Sequence, residues 1–512
     1  MLKGTQAIEL DDFYAVLFEE SQIELSSEIL KRVEKSYQFL QDFSKDKVIY
    51  GVNTGFGPMA QYKIDEKDQH SLQYNLIRSH ASGTGKILVP IYVKALMLAR
   101  LNTLSLGKSG VHKSVIEVMT QLINKNITPL IFEHGGVGAS GDLVQLAHLA
   151  LVLIGEGEVF YKGERVSTTS AFEAEKIKPI QIKGREGLAL MNGTSVMTGI
   201  GIVNTIYAER LLNWSVFCSS LINEVVKAYD DHFSAQLNEA KLHEGQKNIA
   251  KKMRDHLADS KRIKKRDQHL FKPTEEKVFK EKVQEYYSLR CVPQILGPVQ
   301  DTLKQVKKIL VEEVNSANDN PIIDVASKNV YHGGNFHGDY VALEMDKLKL
   351  VITKLSMLVE RQLNYLLNSN LNNFLTPFVN SGKLGLNFGM QGTQFTAVST
   401  TAENQALSNS MYIHSIPNNN DNQDIVSMGT NAANMTKNVI ENSFEVVAIE
   451  LITLVQAVYQ LDIVAELSST SQQELQKIQE FIPKFSEDQA MYPFVQQMKS
   501  YLLQNEIYSE KK

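Results

Sequence analysis

The chain has 512 residues, 43% of them hydrophobic, with 53 Lys plus Arg against 58 Asp plus Glu and a formal net charge of −5. Such a length exceeds one ordinary domain, and the apolar content suffices for a large buried core. The mild acidity gives no electrostatic ground for nucleic-acid binding, while Cys218 and Cys291, far apart and in no CxxC pair, point to a reduced, cytoplasmic setting.

The amino terminus, MLKGTQAIELDDF, lacks a basic segment followed by an apolar run, so no signal peptide is expected. The first arresting segment is GGVGASGDL at 135–143, a glycine cluster that leads straight into an apolar helix. Apolar runs such as LAHLALVLI at 146–154 fall short of the roughly 18 residues that span a bilayer, so no membrane is expected. EVFYKGERVS (158–167) reads as a hairpin around Lys162-Gly163, and PIQIK (179–183) as a short strand. Strand signal is otherwise thin.

Proline is missing between Pro179 and Pro273, between Pro321 and Pro377, and between Pro417 and Pro483, windows that can hold long helices. In the middle window Leu348, Ile352, Leu355, Val359, Leu363 and Leu366 step by four and three along one helix face. Ser195 to Phe233 and Asp424 to Leu467 read similarly, each far beyond the mean helix of about 11–12 residues. Helices of that length pack as bundles or assemble across subunits. The expected fold is predominantly all-α, with a smaller domain over 1–194 containing minor β, and a long-helix bundle with a C-terminal helical region over 195–512.

Two polar stretches have plain readings. KKMRDHLADSKRIKKR (251–266) is basic but carries apolar and acidic residues, as a solvated helix face does. NNNDNQD (418–424) reads as a flexible loop, set directly before one of the long helices. His332 and His337 flank a GGNF turn without a cysteine or acidic partner at ligand spacing, so no metal is expected.

The glycine cluster admits several explanations. GVGASG (136–141) fits G-x-G-x-x-G, but the alternating strands of a dinucleotide fold are missing. Asp142 would also put a carboxylate where a pyrophosphate wants bare amides, so no nucleotide is expected. A nucleophile elbow requires glycine at 142. A structural turn with Asp142 as a first-turn dipole partner stays open. The remaining explanation is chemical. In Ala139-Ser140-Gly141 the Gly141 amide nitrogen can attack the Ala139 carbonyl. Loss of two waters, one from the Ser140 side chain, leaves a 4-methylidene-imidazol-5-one (MIO), an electrophile at a helix amino terminus.

GVGASGDL resembles the signature of the MIO-dependent aromatic amino acid ammonia-lyases, the family of the histidine, phenylalanine and tyrosine enzymes. YGVNTGFG (50–57), RSHASGTG (78–85), LALMNGTS (188–195), QEYYSLRCVPQILG (284–297), NSANDNP (315–321), GGNFHGD (333–339) and NNNDNQDIVSMG (418–429) resemble the family's other blocks, in order and over most of the chain. The resemblance implies a central bundle like that of the fumarase–aspartase group and a homotetramer whose active sites are shared between subunits.

It also implies roles. Tyr50 matches the base that takes the β-proton; its phenol must give up its own proton to act, which calls for electropositive surroundings. Arg290 matches the clamp on the substrate carboxylate, with Gln284 and Tyr287 of the same block positioning substrate and completing the site. Asn192 resembles the asparagine that bonds the MIO carbonyl oxygen, and Phe336 the ring packed against that group.

For the substrate two positions disagree. Ser79-His80 resembles the Ser-His pair of histidine ammonia-lyases, whereas Gln423 stands where those enzymes carry glutamate. His80 offers a partner to a phenol, and without the carboxylate an imidazole loses a charge-assisted contact worth about 1.5–3 kcal/mol. The expectation is therefore L-tyrosine converted to trans-p-coumarate, with histidine converted to urocanate as the alternative. An aminomutase would use the same residues. Without cyclisation of Ala139-Ser140-Gly141, the chain would be a non-catalytic helical scaffold or ligand-binding protein.

Overall fold

The computed structural model describes residues 6–279 and 281–508. Helix takes 59% and strand 7%, the predominantly α fold expected. The chain divides into two compact units, and it passes between them several times. One holds the chain up to Ile206 together with Val306–Asp346 and Ser410–Lys437; the other holds Tyr207–Gln305, Lys347–Asn409 and the chain from Asn438 onward.

The first unit is built on short helices, among them Glu66–His80, Pro90–Ser105, Leu143–Leu153 and Glu186–Met191. Pro90–Ser105 is buried on every side from Ala95 to Ser105, its polar Arg100 and Asn102 included. Three small antiparallel sheets edge the unit. The hairpin at Lys162-Gly163 forms as expected, Tyr161 pairing with Glu164 across two residues at φ 52° and 83°. Those angles suit the type I′ turn, whose twist matches that of the strands. PIQIK is not a strand. Ile180 and Ile182 do alternate inward, but their amides bond the Leu153 carbonyl at 2.9 Å and the Tyr74 hydroxyl at 3.3 Å, so no ladder is left to join.

The four longest helices are Ser195–Val225, Val292–Val314, Asp339–Leu367 and Gly429–Leu461. The face from Leu348 to Leu366 is buried as its spacing predicts. Two of these helices stop short of the expected Phe233 and Leu467, for one reason. At Val225 the chain turns through Lys227 (φ 54°) with Ala228 N bonded to Asn223 O at 3.0 Å; at Leu461 it turns through Asp462 (φ 54°) with Ile463 N on Val458 O at 3.5 Å. Both are Schellman endings with a side chain where glycine is usual. Gly429–Leu461 is long and apolar enough to cross a membrane by composition, yet 78% of its most apolar stretch is buried in the protein.

In the second unit the carboxyl-terminal segment is pinned across Ser195–Val225. The Trp214 indole donates to Asn505 O at 3.0 Å, Arg210 pairs with Glu506 at 2.9 Å, and Tyr508 bonds buried His256. The basic stretch at 251–266 is only partly a solvated face. Lys251 and Asp255 are exposed, but Arg262 is buried and donates to the Glu224 and Val225 carbonyls at 2.8 and 3.1 Å, capping that same helix.

Candidate active site

The reactive tripeptide is wedged by close backbone approaches. Gly138 and Gly141 adopt φ +70° and +71°, and a Cβ on either would lie 2.0 Å from Ser427 Oγ or from Gly193 O, respectively. Gly141 forms a bridge to Gly193, and Asp142 N donates to Gly193 O at 2.8 Å. Ala139 is buried against Val426 and Met428. Only glycines permit this fit.

Asp142 is the N-cap residue of the Leu143–Leu153 helix, but its side chain makes no capping bond there and turns to other segments. Its Oδ2 accepts the Val196 and Met197 amides at 3.0 Å each, and its Oδ1 accepts the Thr430 hydroxyl. It therefore caps the first turn of Ser195–Val225 and ties three distant segments together. Burial pushes its carboxyl up to about 6, against the opposing pull of the Thr430 hydroxyl and the two amides.

Ser140 faces a cavity of about 650 Å³ whose wall also includes Tyr50, Ser79, His80, Asn192, Phe336 and Gln423. Asn192 Nδ2 donates to the Ser140 carbonyl at 2.9 Å while its Oδ1 accepts Asn320 N at 2.8 Å. Gln423 Nε2 donates to Ser140 Oγ at 2.8 Å. Tyr50 Oη accepts the Gly57 amide at 3.1 Å. His80 Nδ1 lies 3.0 Å from the Leu76 carbonyl. The Ser79 hydroxyl lies at the same 3.0 Å from Nδ1; in the tautomer whose Nδ1 donates to the carbonyl, Nε2 is left as an acceptor. The cavity wall contains no Asp, Glu, Lys or Arg.

Gln284, Tyr287 and Arg290 belong to the second unit and none lines this cavity. They gather with one another. Arg290 Nη1 donates to Gln284 Oε1, and its guanidinium lies 4.8 Å from the centroid of the Tyr287 ring, which is 70% exposed. Sequence reasoning passed over Asn75, Asn320 and Leu143 as lining residues. Asn75 is one helical turn before Ser79, a spacing that could have revealed it. The asparagine-rich loop is more than a linker, since Asn419, Asn420 and Asn422 line the cavity and Asn419 to Asp421 run at positive φ. Among the described residues no cluster of metal ligands occurs.

The aromatic amino acid lyase family matches residues 8–480, and the chain belongs to it. A probable histidine ammonia-lyase of Thermoplasma volcanium is 38% identical over 500 residues, covering 97% of each chain. A tyrosine 2,3-aminomutase of Myxococcus fulvus is 37% identical over 506 residues, 97% of this chain and 95% of that one. The crystal structure of a tyrosine aminomutase from Streptomyces globisporus superposes with a TM-score of 0.92 at 33% identity, covering 97% and 95%. The family is MIO-dependent, and the residues here fit such a group. Two glycines allow the close approach, Ser140 presents a hydroxyl to the cavity, and Asn192 holds the carbonyl that would become the ring oxygen.

Proposed function

We propose that the chain is an ammonia-lyase that converts L-tyrosine to trans-p-coumarate and ammonia, using an MIO formed from Ala139-Ser140-Gly141. One observation carries this reading. A single cavity joins Ser140 to the free acceptor face of His80, and its wall contains no carboxylate. The phenol of tyrosine donates to His80 Nε2. Phenylalanine would leave that acceptor unpaired, which a polar pocket can penalise by about 10⁴-fold.

When formed, the group supplies an electrophile that makes the amine a better leaving group. The rest falls to the chain's own side chains. Tyr50, its oxygen held by the Gly57 amide, takes the β-proton. Asn192 fixes the Ser140 carbonyl oxygen, Gln423 holds the Ser140 hydroxyl until it leaves as water, and Phe336 lines the same wall. A substrate carboxylate needs a cation that this wall lacks. Arg290, with Gln284 and Tyr287, supplies it from another subunit of a homotetramer, its planar fork taking both oxygens.

The names of the relatives favour a second reading, histidine ammonia-lyase. An imidazole N–H could also donate to His80, but neutral Gln423 offers it no charge. The tyrosine aminomutases among the relatives lend weight to a tyrosine substrate at like identity. The deciding test supplies purified protein with L-tyrosine and, separately, with L-histidine, and follows the ultraviolet bands of p-coumarate and urocanate. Coumarate alone upholds the tyrosine reading. Urocanate alone overturns it in favour of histidine. β-Tyrosine among the products would make the chain an aminomutase.

A further inference from the structure

Two arginines lie buried behind the Asn192 turn, outside the cavity wall: Arg100 is 1% exposed and Arg185 is fully buried. Arg185 is paired. Its guanidinium reaches both oxygens of Asp319 at 3.1 and 3.0 Å and also donates to Asn320 O at 2.8 Å. Arg100 bonds only neutral oxygens, the carbonyls of Ala189 and Asn192 (2.9 Å to the latter) and Asn318 Oδ1 at 3.5 Å. A buried guanidinium without a bonded carboxylate is costly, and an apolar side chain of similar length would serve packing better. Arg100 also packs so closely on Gly193 that a Cβ there would meet its Nη1 at 2.5 Å.

The two arginines grip Asn192 from opposite ends. Arg100 holds its main-chain carbonyl; the Arg185–Asp319 pair holds Asn320, whose amide bonds Asn192 Oδ1 at 2.8 Å. With that oxygen fixed, Nδ2 is turned to the Ser140 carbonyl. Two guanidinium groups share Asp319, and although Asp319 and Asp142 both act on the Arg100 charge from a distance, neither carboxylate bonds it.

We propose that Arg100 is a positioning and polarising residue for the Ala139-Ser140-Gly141 group: it fixes the Asn192 amide on the Ser140 carbonyl oxygen, and its charge, bonded to no carboxylate, draws electron density onto that oxygen. The inference rests on the MIO of the proposed function. Attack of a nucleophile at the methylidene carbon, with formation of a new bond there, moves the double-bond pair toward the Ser140 oxygen, where a fixed positive field is most effective.

The test uses Arg100→Met, which removes the charge, and Asn318→Asp, which neutralises it at nearly constant shape. Melting curves verify folding, and mass spectrometry of the Ser140 peptide reads the loss of two waters. Cyanide is the nucleophile, its addition followed by the fading ring absorbance and normalised to the dehydrated fraction. Both folded variants should react with cyanide roughly tenfold or more slowly than the parent. A folded variant that fails to dehydrate also supports the proposal, because the same polarisation assists ring closure. A dehydrated Asn318→Asp protein reacting at the parental rate would overturn it, whether or not Arg100→Met folds. A parent peptide with both waters still present would instead overturn the MIO reading itself.

Discussion

Ser140 is the residue on which the chemistry turns. Ser140→Ala keeps the turn but removes the hydroxyl that must leave. Its peptide should lose no second water, and turnover should fall by at least about 10³-fold. At the far end of the cavity, His80→Phe deletes the acceptor. We expect kcat/KM for tyrosine to fall by roughly 10²–10⁴-fold while phenylalanine becomes the better substrate in the same coumarate–cinnamate assay. Gln423→Glu tests the histidine alternative, because a carboxylate there should raise urocanate formation by about tenfold or more. At this scale the sequence was highly legible. Seven of the residues singled out from it line one cavity, since each sits in a block whose spacing is dictated by a turn or a helix end. The role of Arg100 was not legible. Nothing in ARLNTLS distinguishes a buried arginine from a solvated one, because its partners are main-chain carbonyls almost a hundred residues away.

Among the elements, proline-free windows and periodicity located three of the four longest helices but not their ends, and they missed Val292–Val314, which carries Pro298 inside. Lys227 and Asp462 close two of them from the left-handed region without a glycine to announce it. The carboxyl-terminal segment was similarly silent, a few polar residues that prove to clamp Trp214 and Arg210. That clamp has a pH signature. Burial pushes the His256 imidazole down to about 3, between the Tyr508 hydroxyl and Ser471 Oγ at 2.7 Å. Its pKa is lower folded than unfolded, so its contribution to stability is present above the unfolded value of about 6.5 and lost as pH falls toward 3. Melting temperatures should drop across that window, and His256→Gln should flatten the drop. An unchanged slope would exclude His256 as its source.

For the whole molecule the missing cation is the informative feature. A wall without Arg or Lys cannot hold an α-carboxylate alone, and Arg290 waits beside an exposed tyrosine on the other unit. If the site is composite, Tyr50→Phe and Arg290→Ala should each be inactive, yet co-expressed together should regain a fraction of parental activity through mixed tetramers with intact sites. Absence of recovery in verified mixed assemblies would place both residues' functions within one subunit. Periodicity and composition carry no sign of how these two residues would cooperate, because both are half-buried side chains with no distinguishing pattern around them.

Asp142 joins the starts of two helices to Thr430, and Gly141 fits only against Gly193. The ring-forming tripeptide is therefore bent into shape by segments that reach it late, from some 50 and almost 300 residues further along the chain. With the proposed cyclisation, a freshly made polypeptide would carry no electrophile for thiols or amines to quench, and maturation would act as a clock that starts only when the native fold is complete. In a refolding experiment begun from protein unfolded before ring closure, the fluorescence of Trp214, the sole tryptophan, should recover first. Activity should follow after a lag that does not change once assembly is saturated.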